Sequence, residues 1–305
     1  MKIAHLSDIH FTTFFRNFDL YKFENLLKYC NTRRIDHLII TGDLVENPDE
    51  YDFELLRKVL KQNGFLTSDR LSLVIGNHDI FGGVVTVEDL FNFTNHCETI
   101  DYRQRVREFY DYFSESFKYC NYISPINIFP YAKIINDVLI IGLNSVAEYS
   151  KSKNIFASNG EISPGQLNEM TGIFNMYSKC KIKLVLIHHH FGESKQLQQN
   201  RFGNVWQMIE KQTMKLRTKK QLFELFNKFN VDLVLHGHYH EMSEYYRKGI
   251  RFLNAGGSFK NELKEQNFVN FLDLSLPKLK IEIAKIPHLL SPEILSFEKL
   301  NSVTF

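Results

Sequence analysis

Apolar residues along this chain fall into short runs separated by stretches of helical spacing. Residues 2–6, 37–41, 71–75, 138–143, 183–187 and 232–235 each have the length and content of a strand. Several are apolar without alternation, as strands covered on both faces are. Phe23, Leu26, Leu27 and Cys30 lie at helical spacing between the first two runs, and Leu55, Leu56, Val59 and Leu60 do the same before the third. Strand–helix–strand alternation predicts an α/β fold. Two later helices have readable starts. Ser163-Pro164-Gly165-Gln166 places Ser at an N-cap, Pro in the first turn and Gln three residues on; Thr218-Lys219-Lys220-Gln221 repeats the capping-box spacing. Toward the C-terminus, residues 243–247, 250–254, 268–274 and 279–285 read as successive antiparallel strands.

Two segments stand outside the alternation. Between 86 and 124, Val106, Phe109, Tyr110, Phe113 and Phe117 form a helical apolar stripe near Arg103, Arg105 and Arg107. The segment reads as an inserted helical cap or, by the plainer account, as an amphipathic helix on the core. The tail 287–305 is apolar at Leu289, Leu290, Ile294, Leu295, Phe297 and Leu300, and is expected to dock on its own domain, with a peripheral membrane or dimer contact as the alternative. With no repeat and no linker-like stretch, one domain over 1–305 is expected.

Composition narrows the function. A length of 305 residues suffices for a sizeable core. The charge sum, 37 − 35 = +2, gives no global field for polyanions, so there is no strong nucleic-acid signal. Four cysteines, none in a CxxC pair, are neither a disulfide framework nor a zinc ribbon. The N-terminal apolar stretch is broken by His5 and Asp8, too early for a signal peptide, and no run approaches the roughly 18 apolar residues of a spanning helix. A cytoplasmic protein is expected. Twelve histidines against four cysteines point to imidazole and carboxylate chemistry.

Those groups gather where the predicted strands end: Ser7-Asp8-Ile9-His10, Gly42-Asp43, Gly76-Asn77-His78-Asp79, His188-His189-His190 and His236-Gly237-His238-Tyr239-His240. Open α/β sheets bind ligands at the carboxyl ends of their strands. Mixed carboxylate and imidazole donors suit divalent Mn, Fe, Zn or Ni. Asp8 and His10 are two apart, so in extended backbone both side chains would point to one ion, and His238 and His240 repeat the spacing. Glycines 42, 76 and 237 would let backbone pass close to the ions. The triplet leaves open whether His188 or His189 is the ligand; His188, directly after the strand, is preferred.

In this order the motifs Asp8-x-His10, Gly42-Asp43, Gly76-Asn77-His78-Asp79, His188 and Gly237-His238-x-His240 resemble those of the calcineurin-like metallophosphoesterases, over residues 8–240. The resemblance implies a four-layer α/β/β/α sandwich of two mixed sheets flanked by helices. It implies two divalent metal ions, one held by Asp8, His10, Asp43 and His240 and the other by Asp43, Asn77, His188 and His238, with Asp43 bridging. A hydroxide shared by the ions would attack a phosphate ester. His78 would stabilise the transition state and help protonate the leaving group, with Asp79 orienting its ring. Gly-Asn-His-Asp favours a phosphodiesterase, with a pattern most similar to bacterial cyclic-nucleotide and glycerophosphodiester enzymes. A nucleotide-sugar or lipid pyrophosphatase is the alternative and a nuclease a weaker one; with every motif position filled, a non-catalytic scaffold is disfavoured. Tyr239 stands where the family often has Thr and Phe191 where Pro is common. With His189 and His190 they are expected to line the pocket of a small phosphoester substrate.

Overall fold

The computed structural model describes residues 1–13, 19–83, 87–192, 216–240, 242–256, 258, 267–274 and 279–286. In chain order the strands are β1 (Lys2–Leu6), β2 (His37–Thr41), β3 (Leu71–Val74), β4 (Tyr122–Ser124), β5 (Ile128–Ile135), β6 (Val138–Gly142), β7 (Ile182–Leu186), β8 (Leu233–His236), β9 (Met242–Arg247), β10 (Ile250–Ala255), β11 (Asn267–Asp273) and β12 (Lys280–Ile286). The helices are α1 (Asp19–Thr32), α2 (Glu50–Gln62), the short α3 (His78–Phe81), α4 (Val87–Thr99), α5 (Tyr102–Tyr112), the short α6 (Ser114–Phe117), α7 (Pro164–Met176) and α8 (Lys219–Lys228).

Two mixed sheets result, one in the order β12-β11-β1-β2-β3 and the other β4-β5-β6-β7-β8-β10-β9. β1, β2 and β3 run parallel, as do β6, β7 and β8. Alternate residues of the second sheet serve different cores. Leu184 and Leu186 of β7, with Leu233 and Leu235 of β8, join the core shared with β1–β3; Val185 and Val234 face the opposite way, into a core with Phe174 of α7 and Leu222 and Phe226 of α8. A strand's period of two, with apolar residues in both phases, makes the unbroken runs of the sequence necessary. The layering is that of two sheets flanked by helices.

The stripe of residues 106–117 packs on the first core. Val106, Phe109, Phe113 and Phe117 are buried there, with Phe109 and Phe113 ring to ring against Phe53 of α2 at 6.2 and 6.0 Å. The tail 287–305 lies outside the described residues. Among the described residues no helix is long and apolar enough to cross a membrane.

Two local expectations fail for physical reasons, and one pair of strands was not anticipated. The strands β4 and β5 follow no alternation legible in sequence, because β5 carries Pro130 and Lys133. The Lys133 ammonium is buried, donating to the carbonyls of Ser68, Leu71 and Ser116. The four C-terminal strands are not one meander. β9–β10 and β11–β12 are antiparallel hairpins, but β10 pairs parallel to β8, whereas β11 pairs with β1 in the other sheet. Neither capping box closes. Ser163 caps α7 by accepting from the Gln166 amide (3.2 Å), yet the Gln166 side chain grips both backbone groups of Asn144 (3.0 and 2.8 Å). Thr218 makes no cap bond; its hydroxyl accepts from the Ile162 amide at 2.9 Å. Both side chains tie loops to helix starts.

Candidate metal centre

Five strand-end loops converge, and backbone bonds lock them together. The amide of Asp8 donates to Gly42 O (3.1 Å), that of His10 to Asp43 O (3.0 Å) and that of Gly237 to His188 O (3.0 Å). The turn after β1 is not extended: Asp8 and His10 have φ of 54° and 48°, and Asp43 and His238 follow with 51° and 68°. Left-handed backbone at non-glycine residues costs roughly 1–3 kcal/mol each and persists only where the surroundings impose it. Asp8 and His10 therefore converge through this turn rather than through strand alternation. Gly42, at φ 90°, has no room for a side chain, since a Cβ would stand 2.6 Å from His188 Nδ1 and 2.8 Å from Gly76 N.

The donor atoms form two adjoining clusters. In one, Asp8, His10 and His240 meet, with His10 Nε2 to His240 Nε2 at 3.1 Å and His240 Nε2 to Asp8 Oδ1 at 3.7 Å. In the other, His188 Nε2 lies 3.1 Å from His238 Nδ1, 3.2 Å from Asn77 Oδ1 and 3.3 Å from Asp43 Oδ2. The same Asp43 Oδ2 is 3.7 Å from His10 Nε2, so this oxygen stands between the clusters. Ligands about 2.0–2.2 Å from one ion lie about 3–3.5 Å apart from each other, the spacing seen here.

The tautomer of His188 tests whether a cation fits. Its Nδ1 is 2.8 Å from the Thr41 carbonyl, an acceptor, so Nδ1 carries the proton. Nε2 of the neutral ring then turns a lone pair toward a carboxylate, an amide oxygen and a second imidazole. Lone pairs pointed at one another in a dry site call for a positive charge. Without an ion, a proton takes that place. Burial works to lower the His188 pKa, but the Asp43 carboxylate outweighs it and the ring is pushed up to about 9. The neighbouring His10 behaves oppositely, held down at about 3 by burial and by His78. Asp8 is raised by burial, whereas Asp43, also penalised by burial, is carried well below the carboxylate range by His188. The Asp8 carboxylate also accepts from the His238 amide at 3.0 and 3.1 Å. The residues present thus fit two divalent cations sharing Asp43.

The remaining expected residues divide. His78 stands at the rim, its side chain 22% exposed and its ring 4.4 Å from that of His10. Asp79 does not orient it. The buried Asp79 carboxylate accepts from the amides of Leu44 (2.7 Å), Val45 (3.1 Å) and Gly76 (2.9 Å), clamping the loops that carry Asp43 and Asn77. The groups facing His78 Nδ1 are the carbonyl and carboxylate of Glu46, at 3.2 and 3.7 Å, and the same carboxylate lies 3.4 Å from His10 Nδ1. Glu46 was not among the expected residues, because it lies outside the strand-end motifs; its signal was an acidic residue three positions past Asp43.

His189 aims its Nδ1 at Ser145 and not at the donor clusters. It is fully buried, its Nδ1 2.8 Å from Ser145 Oγ, and it has no surface to offer a substrate. Phe191 is likewise no pocket wall; it is core, packed on Phe252, Phe223 and Phe226. His190 and Tyr239 are part-buried with rings 5.7 Å apart, beside His238. His236 is structural, its Nε2 2.7 Å from the Tyr245 hydroxyl.

Residues 1–242 match the model of the calcineurin-like phosphoesterases. No curated protein shows significant similarity to the chain. Among solved structures, a dimetal phosphatase from Danio rerio is similar at 11% identity and a TM-score of 0.59, covering 94% of this chain and 98% of that one. The purple acid phosphatase PPD1 from yellow lupin is similar at 13% identity and a TM-score of 0.54, covering 93% of this chain and 51% of that one. At such identities the likeness is one of fold.

Proposed function

We propose a phosphodiesterase: the chain belongs to the calcineurin-like phosphoesterase family, hydrolases of phosphoric esters that work with a dinuclear metal centre. The observation that carries the reading is His78. Among the described residues its Nδ1 faces only acceptors from Glu46, so that nitrogen holds a proton and the ring's Nε2 is left to exchange one at the mouth of the clusters. A diester expels an alkoxide, a poor leaving group without a proton.

Asp8, His10, Asp43 and His240 would hold one ion and Asp43, Asn77, His188 and His238 the other. When bound, the two cations supply charge neutralisation at the phosphoryl oxygens and acidify the attacking water. The nitrogen and oxygen donors suit Mn, Fe or Zn. Asp43 fixes the spacing between the clusters and also accepts from the His78 amide at 2.9 Å, so one residue sets both the donors and the acid. Thr41 holds His188 in the tautomer that presents Nε2. His78 would donate to the departing oxygen from Nε2, and Glu46 would hold the ring in place. His190 and Tyr239 would contact the rest of a small phosphoester.

The test compares esters of different leaving groups with Mn²⁺, Fe²⁺ and Zn²⁺ added. Bis-p-nitrophenyl phosphate should exceed p-nitrophenyl phosphate in kcat/KM, and His78→Ala should cost more with an alkyl leaving group than with p-nitrophenol, by about 10²-fold or more. A preference for the monoester, as the names of the similar phosphatases would suggest, overturns the diester assignment.

A further inference from the structure

A groove of about 550 Å³ opens between α5, the loop after β6 and the start of α7. None of the metal-centre donors lines it. Its size is that of a small-molecule site, roughly 300–1,000 Å³. Its walls divide by chemistry. The floor is apolar and aromatic, with Val106, Ile128, Phe129 and Tyr102. Along the rim stand Arg103 and Arg107, four apart on α5 and therefore on one face of that helix.

Those guanidiniums have no ion-pair or hydrogen-bond partner among the described residues, whereas Arg105, between them, is paired with Glu108 at 3.0 Å. Lys153 and Arg217 add positive charge across the groove; Glu148 and Glu161 oppose it, but Glu161 is engaged by Arg217 at 3.9 Å.

We propose that this groove is a second binding site, for a phosphorylated small molecule with an apolar or aromatic body. The two arginines would take the phosphate, which suits forked guanidinium donors, and the floor would take the body. The walls touch the supports of the metal centre on two sides. The Tyr102 ring lies 6.3 Å from that of Phe81, three residues past His78, and Ser145, next to Asn144 of the groove, holds His189.

The test is calorimetric titration of the full-length protein with AMP, decyl phosphate and inorganic phosphate, with metals bound and after chelation. AMP or decyl phosphate should bind saturably in both states, and the preferred one tells an aromatic body from an aliphatic one. Arg103→Glu/Arg107→Glu should weaken that binding at least about tenfold, with an unchanged circular-dichroism spectrum and urea midpoint as the control for folding. Binding lost on chelation belongs to the metal centre and overturns the proposal. So does binding unaffected by the double substitution. Inorganic phosphate binding as tightly as the esters overturns the assignment of the apolar floor. Hydrolysis plays no part in these readouts, so the site and the phosphodiesterase reading can fail separately.

Discussion

Replacing Asp79 by Asn separates a clamp from a catalytic orienter. The carboxylate accepts three amide donors, Leu44 and Val45 on Oδ1 and Gly76 on Oδ2. An Asn oxygen can keep the pair on one side, but its NH₂ must then face the Gly76 amide, donor to donor. The loss is one charge-assisted bond, about 1.5–3 kcal/mol, together with weakening of the other two and an unsatisfied buried amide. Asn also relieves the buried charge beside Asp43, which offsets part of this, so a net destabilisation of about 1–3 kcal/mol follows as an order of magnitude. Burial and the Asp43 charge push Asp79 up to about 7, so the comparison belongs at pH 8, where the wild-type group is ionised. Urea unfolding read by circular dichroism should show the midpoint falling with the slope unchanged. The folded enzyme should keep most of its kcat, because no catalytic proton passes through this carboxylate. Unchanged unfolding with a collapse of kcat as deep as that of His78→Ala would place Asp79 on the imidazole and refute the clamp.

Three further outcomes follow from the same geometry. Because His188 is raised to about 9 without an ion, metal loading at pH 7 should release about one proton from this ring, measured by calorimetry in buffers of different ionisation enthalpy; proton-neutral loading contradicts it. His37, held at about 3 by burial and by Lys133, stays neutral in the fold and titrates near 6.5 when unfolded. Its contribution is complete above pH 6.5 and lost as pH falls toward 3, up to about 5 kcal/mol, so the stability of His37→Gln should depend less on pH in that window. Gly42→Ala must force a Cβ against His188 and Gly76 at a left-handed residue, and should lower metal affinity about 10–100-fold in a chelator competition; wild-type affinity would show that the loop yields.

Much of this site was legible because its chemistry lies in short segments at strand ends. Asp8, His10, Asp43, Asn77, His188, His238 and His240 were all nameable, and the structure brings them together. What sequence misjudged was what surrounds them. Asp79 and His189 lie one residue from His78 and His188, and only the backbone geometry decides that the first turns to amides and the second to Ser145. Phe191 reads as a pocket aromatic until the core that it fills is seen. The convergence of Asp8 and His10 depends on left-handed backbone that residue types do not announce. The fold shows the same boundary. The parallel strands had readable runs, but β5 hides a buried lysine, and β11 finds its partner in β1 across most of the chain.

The most direct measurement is metal content and diester hydrolysis of the purified full-length protein beside Asp43→Ala, since Asp43 Oδ2 stands between the clusters. About two divalent ions per chain in the wild type, with the variant losing metal and falling to background on bis-p-nitrophenyl phosphate, is the predicted result. Undiminished hydrolysis by folded Asp43→Ala would contradict the two-metal account.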